Sequence, residues 1–120
     1  MAAPRRQFDV FVLRYVPSVL EDRYLDIGVL MKDRDDAGFA DARFLHDWQK
    51  VRSFDPDADL KMLDSLTREI EDGWKNPAER PLLLRRMVKS FSNAIQWSLT
   101  ESIETDDPAQ ELERLASTLR

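Results

Sequence analysis

Four polar side chains stand where chemistry could be done: Arg14, Tyr15, Asp26 and Arg52. Arg14 and Tyr15 lie in Phe8 to Val16, a run of β-branched and aromatic residues, and Asp26 lies in a second such run, Tyr24 to Lys32. An ionised side chain in an apolar strand has to be paired, because taking a lone charge out of water is costly. Two accounts satisfy that condition. The plainer one is a salt bridge between Arg14 and Asp26 across neighbouring strands. The other is a polar site at the end of a sheet, with Arg52 brought to it.

Other chemistries are thinner. His46 is the sole histidine, and no G-x-S-x-G elbow exists to present a serine to it. Asp55, Asp57 and Asp59 alternate like the start of a calcium loop, but the sixth and twelfth positions, where glycine and glutamate are needed, hold Leu60 and Leu66. They read as an acidic first turn favoured by the helix dipole. Gly28, Gly38 and Gly73 are too far apart for a phosphate-cradling loop. With no cysteine, disulfides, zinc thiolates and thiol nucleophiles are excluded, and a reducing cytoplasm is the natural compartment. No metal or cofactor site is expected.

The elements that must position these residues follow from periodicity. In Phe8 to Val16 both alternating faces are mostly apolar, the mark of an inner strand, and Pro17 ends it. In Tyr24 to Lys32, Leu25, Ile27, Val29 and Met31 share one face. Gly28, on the other face, suggests a bulge or a close approach by backbone or a large side chain. A charged turn from Lys32 to Gly38 leads to a third strand, Ala40 to Leu45, antiparallel to the second. His46 to Phe54 is either a short helix or a loop that carries Trp48 inward.

Asp55-Pro56 is expected to open a helix, with Leu63, Leu66, Ile70 and Trp74 on one face and Asn76-Pro77 after it. A second helix is expected from about Glu79 to Ala94. Ile95 to Leu99 is either the end of that helix or a short fourth strand, and its polar–apolar alternation favours the strand. Asp107-Pro108 opens the last helix by the same device, and Leu112, Leu115 and Leu119 line its apolar face. That helix could pack on the sheet or on a partner. Residues 1–7 read as a flexible tail before a single domain, 8–120.

Net charge is −5, which argues against nonspecific binding to a polyanion. Arg85, Arg86 and Lys89 read as a solvated helix face, without the interleaved aromatics of a base-stacking site. Trp48 and Trp97 stay open as recognition aromatics. No stretch is long and apolar enough to span a membrane.

The motifs Leu13-Arg14-Tyr15-Val16-Pro17 and Asp26-Ile27-Gly28-Val29-Leu30 begin an ordered series. It continues with Arg43-Phe44, the stretch Val51-Arg52 to Asp55-Pro56-Asp57, and Thr105-Asp106-Asp107-Pro108 with Glu111-Leu112. In this order the series resembles the bacterial domain-of-unknown-function family 3037, over nearly the whole chain. The resemblance implies no chemistry. It does imply a setting, because members are often encoded beside a HipA-like kinase, in a toxin–antitoxin-like arrangement.

The expected fold is α+β: an antiparallel sheet of three or four strands covered by two or three helices. The leading functional expectation is a non-enzymatic protein-interaction module, with a HipA-like kinase as partner, acting through the last helix (Leu112, Leu115, Leu119) or an exposed sheet edge. The alternative is an enzyme or nucleic-acid-processing factor with a polar site at Arg14, Asp26 and Arg52.

Overall fold

A computed structural model describes residues 6–17, 24–34, 38–45, 47–83, 85 and 95–119, with only the backbone at 95–100. His46, most of the connector to Arg23, the 35–37 part of the charged turn, residues 86–94 of the expected second helix with Arg86 and Lys89, and the Trp97 side chain lie outside the described residues.

Four strands form one sheet: β1 (Arg6–Tyr15), β2 (Leu25–Asp33), β3 (Ala40–Phe44) and β4 (Ile95–Thr105). Their order is β3-β2-β1-β4, and every neighbouring pair is antiparallel. The helices are α1 (Gln49–Phe54), α2 (Leu60–Lys75) and α3 (Pro108–Ala116), followed by a 3-10 turn at Ser117–Leu119. Residues 80–83 are also helical. The α+β expectation holds, with four strands.

β1 and β2 are the inner strands, which is why both of their faces are apolar. Residues paired in register share a face of the sheet. Ala42, Leu30 and Phe11 form one such row, and Arg43, Val29 and Val12 form the next, on the opposite face. Trp74 of α2 meets Phe11 edge-on at 5.5 Å and donates its indole N–H to the Met31 carbonyl at 3.0 Å. α2 therefore covers the first face. Glu113 of α3 reaches Arg43, so α3 covers the second. Between these layers Leu13, Ile27, Leu30, Met31, Leu63, Trp74 and Leu112 are buried.

Gly28 shows both features expected of it. The register slips between Leu13 and Arg14, leaving Ile27 as the extra residue of a β-bulge. A Cβ at Gly28 would lie 2.6 Å from Cδ1 of Phe44. The Phe44 ring takes the space that any other side chain would need.

Several boundaries differ from expectation. β1 starts at Arg6, inside the expected tail, where Arg6 pairs with Asp33 at 2.6 Å. The ambiguous stretch is a short helix, with Trp48 at its N-cap, packed against the core. α2 does not begin at Asp55-Pro56. Its cap is Asp59, whose Oδ1 accepts the Met62 amide at 3.0 Å, because the Asp55 carboxylate is engaged elsewhere. At Asp107-Pro108 the expected device is present: Asp107 Oδ1 accepts the Gln110 amide at 3.1 Å, and Pro108 occupies the first turn. β4 runs on to Thr105, past the expected end at Leu99. After α2, Arg80 is buried and donates Nε–H to the Trp74 carbonyl at 2.7 Å, satisfying a carbonyl that the end of a helix leaves open.

Candidate functional site

The sequence-predicted residues separate into pairs. Arg14 and Asp26 are register partners on β1 and β2, and Arg14 Nε donates to Asp26 Oδ1 at 2.9 Å. The pair is not enclosed: the two side chains are 34% and 38% exposed. The Arg14 guanidinium also lies 4.2 Å from the centroid of the exposed Tyr24 ring. Tyr15, the next residue along the strand, is committed to a different partner. Its buried hydroxyl donates to Asp55 Oδ2 at 2.6 Å, while Asp55 Oδ1 accepts the Asp57 amide at 3.1 Å. Burial first, and then the Asp55 carboxylate, push the Tyr15 phenol from 10.0 up to about 12. Arg52 sits exposed on α1, and among the described residues no hydrogen bond or ion pair joins its side chain to Arg14 or Asp26. The bonds among the described residues thus join Arg14 to Asp26 and Tyr15 to Asp55, the latter three residues after Arg52.

A second constellation lies on β3, which is an edge strand. The amide of Leu45 donates to Ile27 and that of Asp33 to Phe39, both at 2.9 Å, which places the hydrogen-bonded pairs of β2 and β3 at the odd-numbered β3 residues. The N–H and C=O groups of Ala40, Ala42 and Phe44 therefore point away from the sheet. At Ala42 the neighbouring side chains close over them. Asp41 Oδ1 accepts the Ala42 amide at 2.8 Å, and Arg43 Nη1 donates to the Ala42 carbonyl at 2.9 Å. Asp41 and Arg43 are paired to each other at 2.9 Å, so the two side chains make a clasp around one residue of the open edge.

The clasp is anchored from both helices. Lys75 of α2 reaches Asp41 Oδ1 at 3.5 Å, and Arg43 Nε donates to Glu113 of α3 at 2.5 Å. Burial works against the charge on Asp41. The Arg43 and Ala42 hydrogen bonds, with the charges of Arg43 and Lys75, outweigh it and hold the carboxyl below its ordinary value. Burial likewise opposes the charge on Arg43, and Asp41 and Glu113 overcome it, raising the guanidinium above its usual value.

A groove flanks β3 on each side. One, of about 460 Å3, is lined by Phe44, Leu45, Lys50, Glu113, Ser117 and Leu119 among others. The other, of about 420 Å3, includes Trp48, Asp64, Thr67, Arg68 and Glu71. The sequence reading did not single out Asp41, Lys50 or Glu113, and used Arg43 only as part of a motif. The available signal was a short third strand with an acid and a base two residues apart.

The leucines of the last helix face inward. Leu112 and Leu119 are buried in the core and Leu115 is half-buried against it, so the apolar stripe of α3 meets its own sheet. Among the described residues no group of three or more histidine, aspartate or glutamate side chains is placed to hold a metal ion. No helix among them is long and apolar enough to cross a membrane.

Fold and site together describe an α+β domain whose sheet is covered on both faces and, among the described residues, has no strand beyond β3. Residues 11–119 match the family model described as "Protein of unknown function (DUF3037)", and the chain belongs to that family. No curated protein and no solved structure matches it.

Proposed function

We propose that this domain is a non-enzymatic protein-interaction module that takes an extended segment of its partner along the β3 edge. The observation that supports this reading is the outward row of backbone groups at Ala40, Ala42 and Phe44, clasped at Ala42 by its own neighbours and covered by no strand among the described residues, with a groove on either side. Strand addition to such an edge draws affinity from main-chain hydrogen bonds and specificity from the flanking pockets. The family resemblance makes a HipA-like kinase the first partner to test, in a toxin–antitoxin-like setting.

The test has to use point changes. Deleting the last helix would remove Leu112 from the core and unfold the domain. Lys50 and Arg68 lie one on each groove. Lys50→Glu with Arg68→Glu should weaken co-purification of a HipA-like kinase from the native host about tenfold, the 1.4 kcal/mol of one lost anchoring contact. Glu104→Lys, on β4 at the far edge, should leave capture unchanged. Capture that survives the groove changes, with the fold intact by circular dichroism, removes the β3 edge from the account.

A further inference from the structure

The clasp residues occupy positions with a particular symmetry. β3 reads Ala40-Asp41-Ala42-Arg43-Phe44, with an acid and a base equidistant from Ala42. Turned end for end, the strand places a base where the acid was. We propose that β3 pairs antiparallel with β3 of a second copy of this chain, about a two-fold axis through Ala42, joining two sheets into one.

The register follows from the outward-pointing groups. Ala42 faces Ala42 of the other copy as a hydrogen-bonded pair, and Ala40 faces Phe44, so each outward N–H meets an outward C=O. Asp41 then stands opposite Arg43 of the other copy, and Arg43 opposite its Asp41, an arrangement of opposite charges that stabilises a cross-strand pair. The clasp already shows the exchange within one chain. The Asp41 carboxylate accepts from the Ala42 amide where a partner carbonyl would, and the Arg43 guanidinium donates to the Ala42 carbonyl where a partner amide would. On pairing, those side chains swing from their own strand to the facing one, and backbone groups replace them at Ala42.

Two further observations favour a second copy over an unrelated strand. A two-fold contact requires a self-complementary patch, and the Asp-x-Arg spacing supplies one. The chain carries net negative charge, yet both grooves beside β3 are balanced. Arg43 and Lys50 stand against Asp47 and Glu113 in one, and Arg43 and Arg68 against Asp64 and Glu71 in the other. Two copies therefore approach there without like-charge repulsion. The strand is short, so the contact is small and the dimer is concentration-dependent. A heterologous partner at this edge would have to displace the second copy; that clause alone rests on the function proposed above.

Sedimentation or light scattering of the full chain decides it. The wild-type mass should climb from 14.0 kDa toward twice that value between about 1 μM and 1 mM. Asp41→Arg alone puts arginine opposite arginine, and Arg43→Asp alone puts aspartate opposite aspartate, so each variant should stay monomeric across the range. Mixed in equal amounts, the two variants are complementary and the doubled mass should return. A wild-type mass that never rises overturns the proposal. So does a dimer that either single change leaves intact, or a mixture that stays monomeric while both variants keep the wild-type circular dichroism spectrum.

If either charge change unfolds its chain, cysteines decide instead, since the protein has none of its own. Asp41→Cys and Arg43→Cys, mixed and mildly oxidised, should cross-link as the mixed pair in excess over either variant alone. No such excess also overturns the proposal. Co-purification reads a heterologous partner and mass reads a second copy, so either idea can fail without the other.

Discussion

Two aspartate–arginine pairs in this molecule have the same chemistry and different consequences. Arg14 and Asp26 face each other across the two inner strands, and on its other side Arg14 is paired with Gln96 of β4. Their interaction adds to the β1–β2 ladder, whose backbone pairs them already. Asp41 and Arg43 sit two residues apart in one edge strand and bond to the backbone between them. There the side chains stand in for a missing strand. An edge left open is a template for pairing with another chain, and charged side chains placed on it control that pairing. Position in the sheet, rather than the type of pair, decides whether it serves cohesion or access.

The two regions are joined where Phe44 of the edge strand lies over Gly28 of the inner one. A methyl group at Gly28 would meet the ring at 2.6 Å, and the Leu13 Cβ is 3.5 Å away on another side. Gly28→Ala should lower stability by about 2 kcal/mol, within the usual cost of overpacking, in urea unfolding. It has the largest effect expected here, because the ring has to leave its place over Gly28 before a methyl group can fit. A loss below about 0.5 kcal/mol would mean that the ring swings freely, so that the edge strand is not fixed to the inner pair through this contact.

Tyr15 tests the inner region by a different route. Its hydroxyl ties the end of β1 to Asp55, in the junction between α1 and α2. Tyr15→Phe should cost about 1 kcal/mol near neutral pH, the typical net worth of one hydrogen bond. The pH dependence is more specific. The folded chain holds the phenolic proton up to about 12, while the unfolded chain releases it near 10.0. Between those values the unfolded state binds fewer protons, so stability falls as pH rises. Denaturation midpoints at pH 9 and pH 11.5 should show the wild type losing more than Tyr15→Phe. Equal losses would remove Asp55 and burial as the controlling surroundings of Tyr15.

The inner region was largely legible in the sequence and the edge region was not, for a physical reason. Alternation along Phe8 to Val16 and Tyr24 to Lys32 reports burial on two faces, a local property of each strand. The Arg14–Asp26 pairing followed because both charges had to be answered within those strands, and Gly28 because a gap in an apolar row implies a neighbour that fills it. Nothing local says which strand ends the sheet. Asp41 and Arg43 acquire their role only once β3 is known to be the edge. Asp55 shows the same limit: the dipeptide Asp-Pro is identical at 55 and 107, but Asp55 is drawn to a tyrosine 40 residues earlier, and the cap moves to Asp59. The stripe Leu112, Leu115, Leu119 was visible as apolar, while its target, the chain's own sheet, depends on the path from α2 back through β4.

Asp26→Asn makes the smallest change and places the sharpest limit on the comparison. Asp26 and Arg14 are each more than a third or about a third exposed, so water screens the pair on one side. Exposed ion pairs are worth about 0–1 kcal/mol, and asparagine keeps an oxygen that can accept from Arg14 Nε. The stacking of Arg14 on Tyr24 survives the change as well. The variant should therefore unfold within about 1 kcal/mol of the wild type, and its mass at each concentration should be unaltered, because both edges of the inner pair are already occupied by strands. A larger loss of stability would mean that the strand end is held by this ion pair. A change in association would mean that the inner pair, as well as the edge clasp, governs access to the sheet.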